Sequence, residues 1–325
     1  MARQPVGQIV IAWLRSLRKR GSLVAIALVV SCLTVLRIVS DAPDDGRSEQ
    51  TPPQEDFITD AAIMKALKEL DHRISVVRSP CSRLVQLGGK VMCYCDTWHC
   101  TADGAKLMCL DDDVRPSPRR CFALNFGIGF DLSFDEALVQ YGCRVAALDP
   151  TNPNITNKMH QENFHALGIG LDDKDYTLTL DMTYDNKNYV KATAAYMTYE
   201  SVLQTLDRPR VDLLKMDIEG YEWRVLKQVL SSPNATSLLK DVRQILLEIH
   251  LDFLLKADGV ATIYENVLDT LQILRQLEDF GFVLAAFDLN ETRQQYFVFN
   301  GYEIAVFREL TLVRRPLARR SNLHY

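Results

Sequence analysis

The stretch from Phe122 to Pro150 limits the possible folds more than any other part of this chain. FALNF, Phe122 to Phe126, is a short apolar run that reads as a buried strand. Gly127-Ile128-Gly129 follows as a glycine turn. Leu132 to Gln140 then has apolar residues at helical spacing, with Gly142 as a stop signal. Arg144 to Leu148 reads as a second buried strand and ends in Asp149-Pro150. Strand, glycine turn, helix, strand and acid make the opening of a nucleotide-binding βαβ unit. The glycines let the backbone approach a ligand closely, and the acid accepts hydrogen bonds from ribose hydroxyls. Asp149 lies about 20 residues beyond the glycines, the separation that the dinucleotide motif requires. The plainer alternative is a βαβ unit whose glycines only make a tight turn.

The alternation continues toward the C-terminus. Val211 to Met216 reads as a buried strand running into Asp217-Ile218-Glu219-Gly220, then a helix through Leu230. Gln244 to Ile249 is another strand, ending at His250. Ile263 to Phe280 has helical spacing, and Phe282 to Phe287 and Tyr302 to Phe307 read as two final strands. No helix fits between those two, so they are expected to pair antiparallel. Strands alternating with helices imply an α/β fold with a parallel sheet covered on both faces. Ligands of such sheets bind at the carboxyl ends of the strands, near a topological switch point. Gly127, Asp149, Asp217 and His250 all fall at predicted strand ends, so one small-molecule site is expected there. Asp217 and Glu219 also suit simple capping of a helix N-terminus. His250 also suits a half-buried histidine with a satisfied partner. His160 and His165 carry no motif and read as loop residues.

Ahead of this domain, Ser22 to Ser40 (SLVAIALVVSCLTVLRIVS) is apolar except for Arg37 near its end. About 20 helical residues cross a bilayer core, so the stretch is just long enough to be a transmembrane helix. Arg3, Arg15, Arg18, Lys19 and Arg20 precede it; Asp41, Asp44 and Asp45 follow it. The positive-inside rule then puts residues 1–21 in the cytosol and the rest in a lumen, a single-pass type II arrangement of the endoplasmic reticulum or Golgi. The competing reading is a cleaved signal peptide. Residues 41–56 have no apolar periodicity and read as a flexible stem. Asn154, Asn234 and Asn290 each begin an N-x-[ST] sequon, which a lumen would make a glycosylation site.

Residues 57–120 form a Cys-rich segment before the main domain at 121–310. Cys93, Cys95, Cys100 and Cys109, with His99 among them, could hold zinc, but the irregular spacing and oxidising lumen favour disulfides. Seven cysteines lie beyond the predicted anchor, so one is free or pairs with another chain. Cys121 and Cys143 stand just before two neighbouring predicted strands, close enough to bridge. The net charge of -5 and pI near 5.7 argue against nucleic acid as the main partner. Arg314, Arg315, Arg319 and Arg320 make a basic tail at 311–325, expected to be frayed and solvated.

The residues also resemble a known family. LLKMDIEGYEWRVL, Leu213 to Leu226, is similar to the K-x-D-x-E-G-x-E motif of FkbM-type methyltransferases. LGG at Leu87 to Gly89, DGAKLMC at Asp103 to Cys109, FGIGFDLSFDEAL at Phe126 to Leu138, YGCRVAALDP at Tyr141 to Pro150 and LLEIHLD at Leu246 to Asp252 together resemble the methyltransferase-like protein 24 family. The resemblance covers roughly residues 75 to 310. It implies a Rossmann-like methyltransferase fold with a mostly parallel seven-stranded sheet and an antiparallel last strand. It also implies S-adenosyl-L-methionine as cofactor and membrane association, with no particular substrate. Carried over by position, Gly127 and Gly129 match the methionine-side loop, Asp149 the ribose acid, and Asp217 and Glu219 the methyl-transfer site. Asp181, after a strand-like run, would lie near the adenine. Many methyltransferases of this fold have an acid where this chain has Asn125, which accepts a hydrogen bond but carries no charge for the cofactor's ammonium. Asp131, across the turn, is a substitute.

Methyl transfer is an in-line displacement that needs positioning and, for a hydroxyl acceptor, a base. Asp217 is the first candidate base and His250 the second, with Lys215 and Glu219 tuning Asp217. The acceptor expected from topology is a hydroxyl or carboxyl of a glycan or lipid. Two other functions fit parts of the sequence. A luminal glycosyltransferase would use Asp111-Asp112-Asp113 as a D-x-D metal motif. A methyltransferase fold kept as an inactive binding module would explain Asn125.

Overall fold

A computed structural model describes residues 58–315, apart from 95–98, 130, 151–163, 166, 170–173, 182–188 and 291–293. The predicted anchor and stem, Asn154, His160 and Cys95 lie outside the described residues. Among the described residues, no helix is long and apolar enough to cross a membrane.

Helix α1 (Asp60–Ser75) starts where the Thr59 side chain accepts a hydrogen bond from the Ala62 amide at 3.2 Å. Ile63, Leu67, Leu70 and Ile74 recur at helical spacing and form its buried stripe. Four short strands follow: β1 (Leu84–Leu87), β2 (Lys90–Tyr94), β3 (His99–Asp103) and β4 (Lys106–Cys109). They pair antiparallel, β1 with β4 and β2 with β3. Next come β5 (Phe122–Phe126), α2 (Ser133–Tyr141) and β6 (Arg144–Leu148), as the sequence predicts. Strands β7 (Phe164–His165), β8 (Leu167–Ile169), β9 (Lys174–Asp181) and β10 (Tyr189–Met197) lead to α3 (Tyr199–Thr205). The C-terminal half runs β11 (Leu213–Met216), α4 (Glu222–Ser231), α5 (Ala235–Leu239), β12 (Gln244–His250), α6 (Phe253–Lys256) and α7 (Val260–Asp279). It closes with β13 (Phe282–Leu289), β14 (Tyr296–Phe299), β15 (Tyr302–Ala305) and β16 (Phe307–Arg314).

The central sheet has seven strands in the order β13-β16-β12-β11-β5-β6-β7. Strands β7, β6, β5, β11 and β12 are parallel, and β16 runs antiparallel to both of its neighbours. From β5 the chain winds outward to β6 and β7, then returns to β11 on the other side. The carboxyl ends of β5 and β11 therefore form the switch point.

Side chains alternate between the two faces of the sheet. Leu124, Phe126, Leu214, Met216, Ile245 and Leu247 belong to the core shared with α1, α4 and α7. Ala123, Val145, Leu213 and Leu246 face the other way, against Phe134 and Leu138 of α2 and Met108 of β4. The Cys-rich segment is thus part of the domain, because β4 covers a stretch of sheet that would otherwise be bare.

Three expectations need correction. Tyr302 to Phe307 is not the last strand of the central sheet. Its residues form β15, which pairs with β14 in a separate hairpin, and β13 pairs instead with β16. Arg308, Glu309 and Thr311 made β16 look too polar for a buried strand. Each has a partner inside the fold: Arg308 bonds Asp71 at 2.6 Å, Glu309 Oε1 meets Lys106 at 2.6 Å, and Thr311 donates to the Leu107 carbonyl at 2.7 Å. The sheet consequently runs past residue 310. Second, Arg314 and Arg315 are not a frayed tail. Arg314 lies 4.5 Å over the Phe282 ring, and Arg315 bonds Asp111 at 2.7 Å and Asp113 at 2.6 Å. Third, His165 is in edge strand β7 and not in a loop.

The sulfurs of Cys121 and Cys143 sit at bonding distance, with Cα atoms 4.7 Å apart, because β5 and β6 start side by side. Cys81 and Cys109 are likewise adjacent, with a Cα separation of 5.8 Å. Cys93 and Cys100 are opposite each other in the β2–β3 register.

Candidate active site

The glycine loop is pressed onto the end of β11. Gly127 has φ +81°, and a Cβ there would lie 1.6 Å from the Asp217 carbonyl oxygen. Gly129 has φ +59°, and among the described residues nothing lies within 4 Å of a Cβ position there. The amides of Ile128 and Gly129 both donate to Asp149 Oδ2 at 2.8 Å. Asp149 is buried. The acid predicted to bind ribose therefore also shapes the loop that would face the ligand. Lys215, from β11, donates its ammonium to the Gly127 carbonyl from the other side.

Asn125 is buried at the end of β5 and donates to Asp135 Oδ1 at 2.8 Å. Sequence reasoning missed Asp135, which belongs to the inward stripe of α2. Desolvation raises its carboxyl from 3.8 to about 6, against the opposing Asn125 hydrogen bond and the Lys215 charge. Among the described residues, neither Asn125 Oδ1 nor Asp135 Oδ2 has a hydrogen-bond partner. A carboxyl raised in the fold favours folding below its unfolded value and loses that contribution as pH rises through the folded one. The window is pH 3.8 to 6, and the shift corresponds to at most about 3 kcal/mol. Asp135→Asn should therefore gain stability relative to the parent at pH 8 and keep less of that gain at pH 4. Thermal melts at both pH values check this; an identical difference at the two would contradict it. Asp131 acts instead on α2, accepting from the Ser133 amide at 3.0 Å and its hydroxyl at 2.9 Å.

Beside the loop lies a buried cluster of ionic groups. Lys106 reaches in from β4, 2.6 Å from Glu309, 3.3 Å from Asp217 and 3.4 Å from Glu248. Lys215 is also 3.3 Å from Asp217. His250, at the end of β12, has Nδ1 3.1 Å from Glu222 Oε1, a close ion contact without in-line hydrogen-bond geometry. Its Nε2 is 3.6 Å from Glu219 and 4.0 Å from Glu248. Asn290 donates to Glu248 at 2.6 Å.

These neighbours change the expected chemistry. Burial works against ionisation of Asp217, but Lys215 and Lys106 outweigh it and hold the carboxyl well below its usual range. So strong an acid is a poor general base. Burial also works against charge on His250. Glu222, Asp217 and Glu248 outweigh it and raise the imidazolium to about 10. At neutral pH His250 therefore holds its proton and cannot accept another. Burial and the Asp217 charge push Glu248 upward despite Lys106. The two predicted bases are thus electrostatic groups, and neither is free to take a proton.

Glu219 is at the site but mostly exposed, with φ +55° in the turn. The cap of this turn falls to Glu222, which accepts from the Ile218 amide at 2.7 Å and the Gly220 amide at 3.1 Å. Asp181 pairs with Tyr189 in a separate three-stranded sheet and ends no strand of the central sheet, so it does not share the convergence argument. Asn234 is exposed. Asn290 is buried with its amide nitrogen on Glu248, which leaves that nitrogen unavailable to a glycan. The Asp111–Asp113 triplet is bound to the chain itself. Asp111 accepts from the Arg83 amide at 2.9 Å and from Arg315, Asp112 meets Arg83 at 2.8 Å, and Asp113 meets Arg315. It stands beside the end of β16 that pairs with the start of β12, opposite the switch-point edge. Lys106, Glu222, Glu248 and Glu309 went unpredicted as site groups. A single lysine in the otherwise apolar run KLMC was the available signal.

Residues 121–284, just over half of the chain, match the Methyltransferase FkbM domain. "Probable methyltransferase-like protein 24" of Rattus norvegicus is 26% identical over 152 residues, 45% of this chain and 38% of the relative. The Homo sapiens protein of that name is 26% identical over 152 residues, 44% of this chain and 37% of the relative. The match therefore spans less than half the length of these relatives. Among solved structures, a Methanococcus jannaschii fibrillarin pre-rRNA processing protein aligns with a TM-score of 0.33 and 11% identity, covering 62% of this chain and 69% of that one. The matched residues include the glycine loop, Asp149, Asp217 and His250, and the chain belongs to the FkbM methyltransferase family.

Proposed function

We propose that this chain is an S-adenosyl-L-methionine-dependent methyltransferase, held in an endoplasmic reticulum or Golgi membrane by residues 22–40 with its domain in the lumen. Its acceptor is a hydroxyl or carboxyl of a glycan or lipid. The observation that carries the reading is the junction at the switch point, where Asp149 organises the loop amides next to Asp217. The site fits such a cofactor. Among the described residues nothing crowds the Cβ position of Gly129, and the acid stands at the end of β6. The cofactor supplies an electrophilic methyl group on a sulfonium. Asp149 and the loop would hold its ribose and methionine sides, and Asp217 would lie nearest the transferred group. Asp217 acts there by charge, fixed by two lysines, and rate comes mainly from positioning.

The test is transfer of label from methyl-labelled cofactor by the full chain in detergent to lipid and glycan fractions of the same membranes. Transfer that Asp149→Ala abolishes supports the reading. No transfer to any fraction by the folded protein favours the inactive binding module. The luminal placement makes a second prediction, since an oxidising compartment turns adjacent cysteines into disulfides. Peptide mapping without reductant should recover Cys121 joined to Cys143 and Cys81 joined to Cys109; recovery of all four as free thiols would count against the lumen. Cys93, Cys95 and Cys100 are then left, an odd number that allows one bond to another chain.

A further inference from the structure

We infer that the edge of the domain around His250 rests on a bilayer surface, so that the site takes its acceptor from lipid headgroups. Five large apolar side chains at this edge, Tyr221, Leu255, Val260, Tyr296 and Val298, are each between 44% and 55% exposed. Single exposed apolar residues are ordinary. These five come from segments that adjoin one another beyond the carboxyl ends of β11 and β12. Tyr221 follows the turn after β11, and a Cβ on its neighbour Gly220 would lie 3.2 Å from Asp252 Oδ1. Asp252 opens α6, which carries Leu255, and Val260 opens α7. The Leu251 amide donates to the Val306 carbonyl at 2.8 Å, and the Val306 amide donates to the Gln295 carbonyl at 2.9 Å. These two bonds tie the β14–β15 hairpin to the end of β12, where the His250 ring meets Phe307 edge-on at 5.3 Å.

The hairpin carries apolar residues on both of its faces. Phe297 and Phe299 pack inward against the core, whereas Tyr296 and Val298 alternate outward. Tyrosine among aliphatic side chains suits the boundary between lipid and water, where its ring is covered and its hydroxyl stays wet. Charge does not account for this face. Glu219 and Glu303 are exposed in it as well as Lys256 and Arg224, so the attraction would be apolar.

The place where the chain enters the domain points to the occupant. Helix α1 begins beside the hairpin: Asn300 donates to Asp60 at 3.1 Å, and the Tyr302 hydroxyl donates to Asp71 at 2.6 Å. With an anchor at residues 22–40, residues 41–57 are the tether, with a reach of about 60 Å at full extension. A tether that enters at this edge keeps this edge nearest the bilayer. The docking surface rests on the anchored part of the reading above, and the choice of lipid over glycan rests on its methyltransferase part. In the transfer a headgroup oxygen would form its bond to the methyl carbon as the carbon–sulfur bond breaks. The electron pair stays on sulfur in S-adenosylhomocysteine, and a hydroxyl acceptor gives its proton to water.

The test is photocrosslinking of the full chain in phosphatidylcholine bilayers, with benzoylphenylalanine placed at position 296, 298 or 139. Val139 is also exposed but sits near the end of α2, next to the start of β6 and so at the opposite edge. Lipid adducts at 296 and 298 should exceed those at 139 at least tenfold. Raising salt to about 1 M should leave them within twofold, because apolar contact is not screened. Tyr296→Ser combined with Val298→Ser should lower methyl transfer to lipid at least tenfold and leave S-adenosylhomocysteine binding within twofold. Retention in the membrane after alkaline carbonate reads the anchor, and S-adenosylhomocysteine binding reads the cofactor site, so failure of either part of that reading is distinguishable from failure of this surface. Equal adducts at the three positions, adducts to a second copy of the chain in place of lipid, loss of adducts with salt, or transfer to lipid that the double variant leaves unchanged overturns the proposal.

Discussion

Gly127→Ala is expected to destabilise the domain by about 4 kcal/mol and to abolish cofactor binding. Two effects add. The residue has φ +81°, where an L side chain is strained, and its Cβ would lie 1.6 Å from the Asp217 carbonyl oxygen. That oxygen cannot retreat easily. The Asp217 amide donates to the Phe126 carbonyl at 3.0 Å, and Met216 is paired with Phe126 in the β5–β11 register. Relief of the clash must therefore part the loop from β11, which is the junction on which the site is built. Gly129→Ala is the control. It has φ +59° but, among the described residues, nothing within 4 Å of its Cβ position, so the expected loss is about 1 kcal/mol. Denaturant unfolding of the two variants against the parent measures both. Equal small losses would mean that the loop does not press on β11.

Lys106→Met should be about as damaging, near 4 kcal/mol at neutral pH, because removing one partner of a buried ionic cluster leaves the others uncompensated. Lys106 is fully buried and contacts Asp217, Glu248 and Glu309. Burial alone would lower its pKa, but the three carboxylates outweigh burial and raise it above its ordinary value. A lysine raised in the fold contributes stability throughout the range below its unfolded value. The parent therefore has this contribution in full from acid to neutral pH. In the variant the three carboxylates lose their cation, so their folded pKa values rise and stability falls as pH climbs through them. The gap between parent and variant should accordingly be larger at pH 8 than at pH 5. Unfolding curves at the two pH values check the sign. A gap that narrows with pH would mean that Lys106 does not compensate these carboxylates.

The parallel part of the sheet was legible because its strands are continuous apolar runs. FALNF, RVAAL and QILLEI can hardly be placed anywhere but in a covered sheet. β16 was hidden for the opposite reason. Arg308, Glu309 and Thr311 look like surface residues in sequence, and each meets a partner more than 200 positions away. The glycines, Asp149 and Asp217 were legible as strand-end residues, since the topology brings such ends together. Their electrostatics were not. Asp217 reads as a base until Lys106 is found beside it, and His250 reads as neutral until Glu222 is found at 3.1 Å. Asp135 was concealed by helical spacing, which placed it on the inward stripe without revealing its contact with Asn125.

The central claim is a cofactor site formed by the glycine loop and Asp149. Calorimetric titration of the full chain in detergent with S-adenosylhomocysteine, beside Asp149→Ala, tests it most directly. The account predicts saturable one-site binding that the variant loses. No binding by a protein that melts cooperatively, or binding that Asp149→Ala retains unchanged, would contradict it.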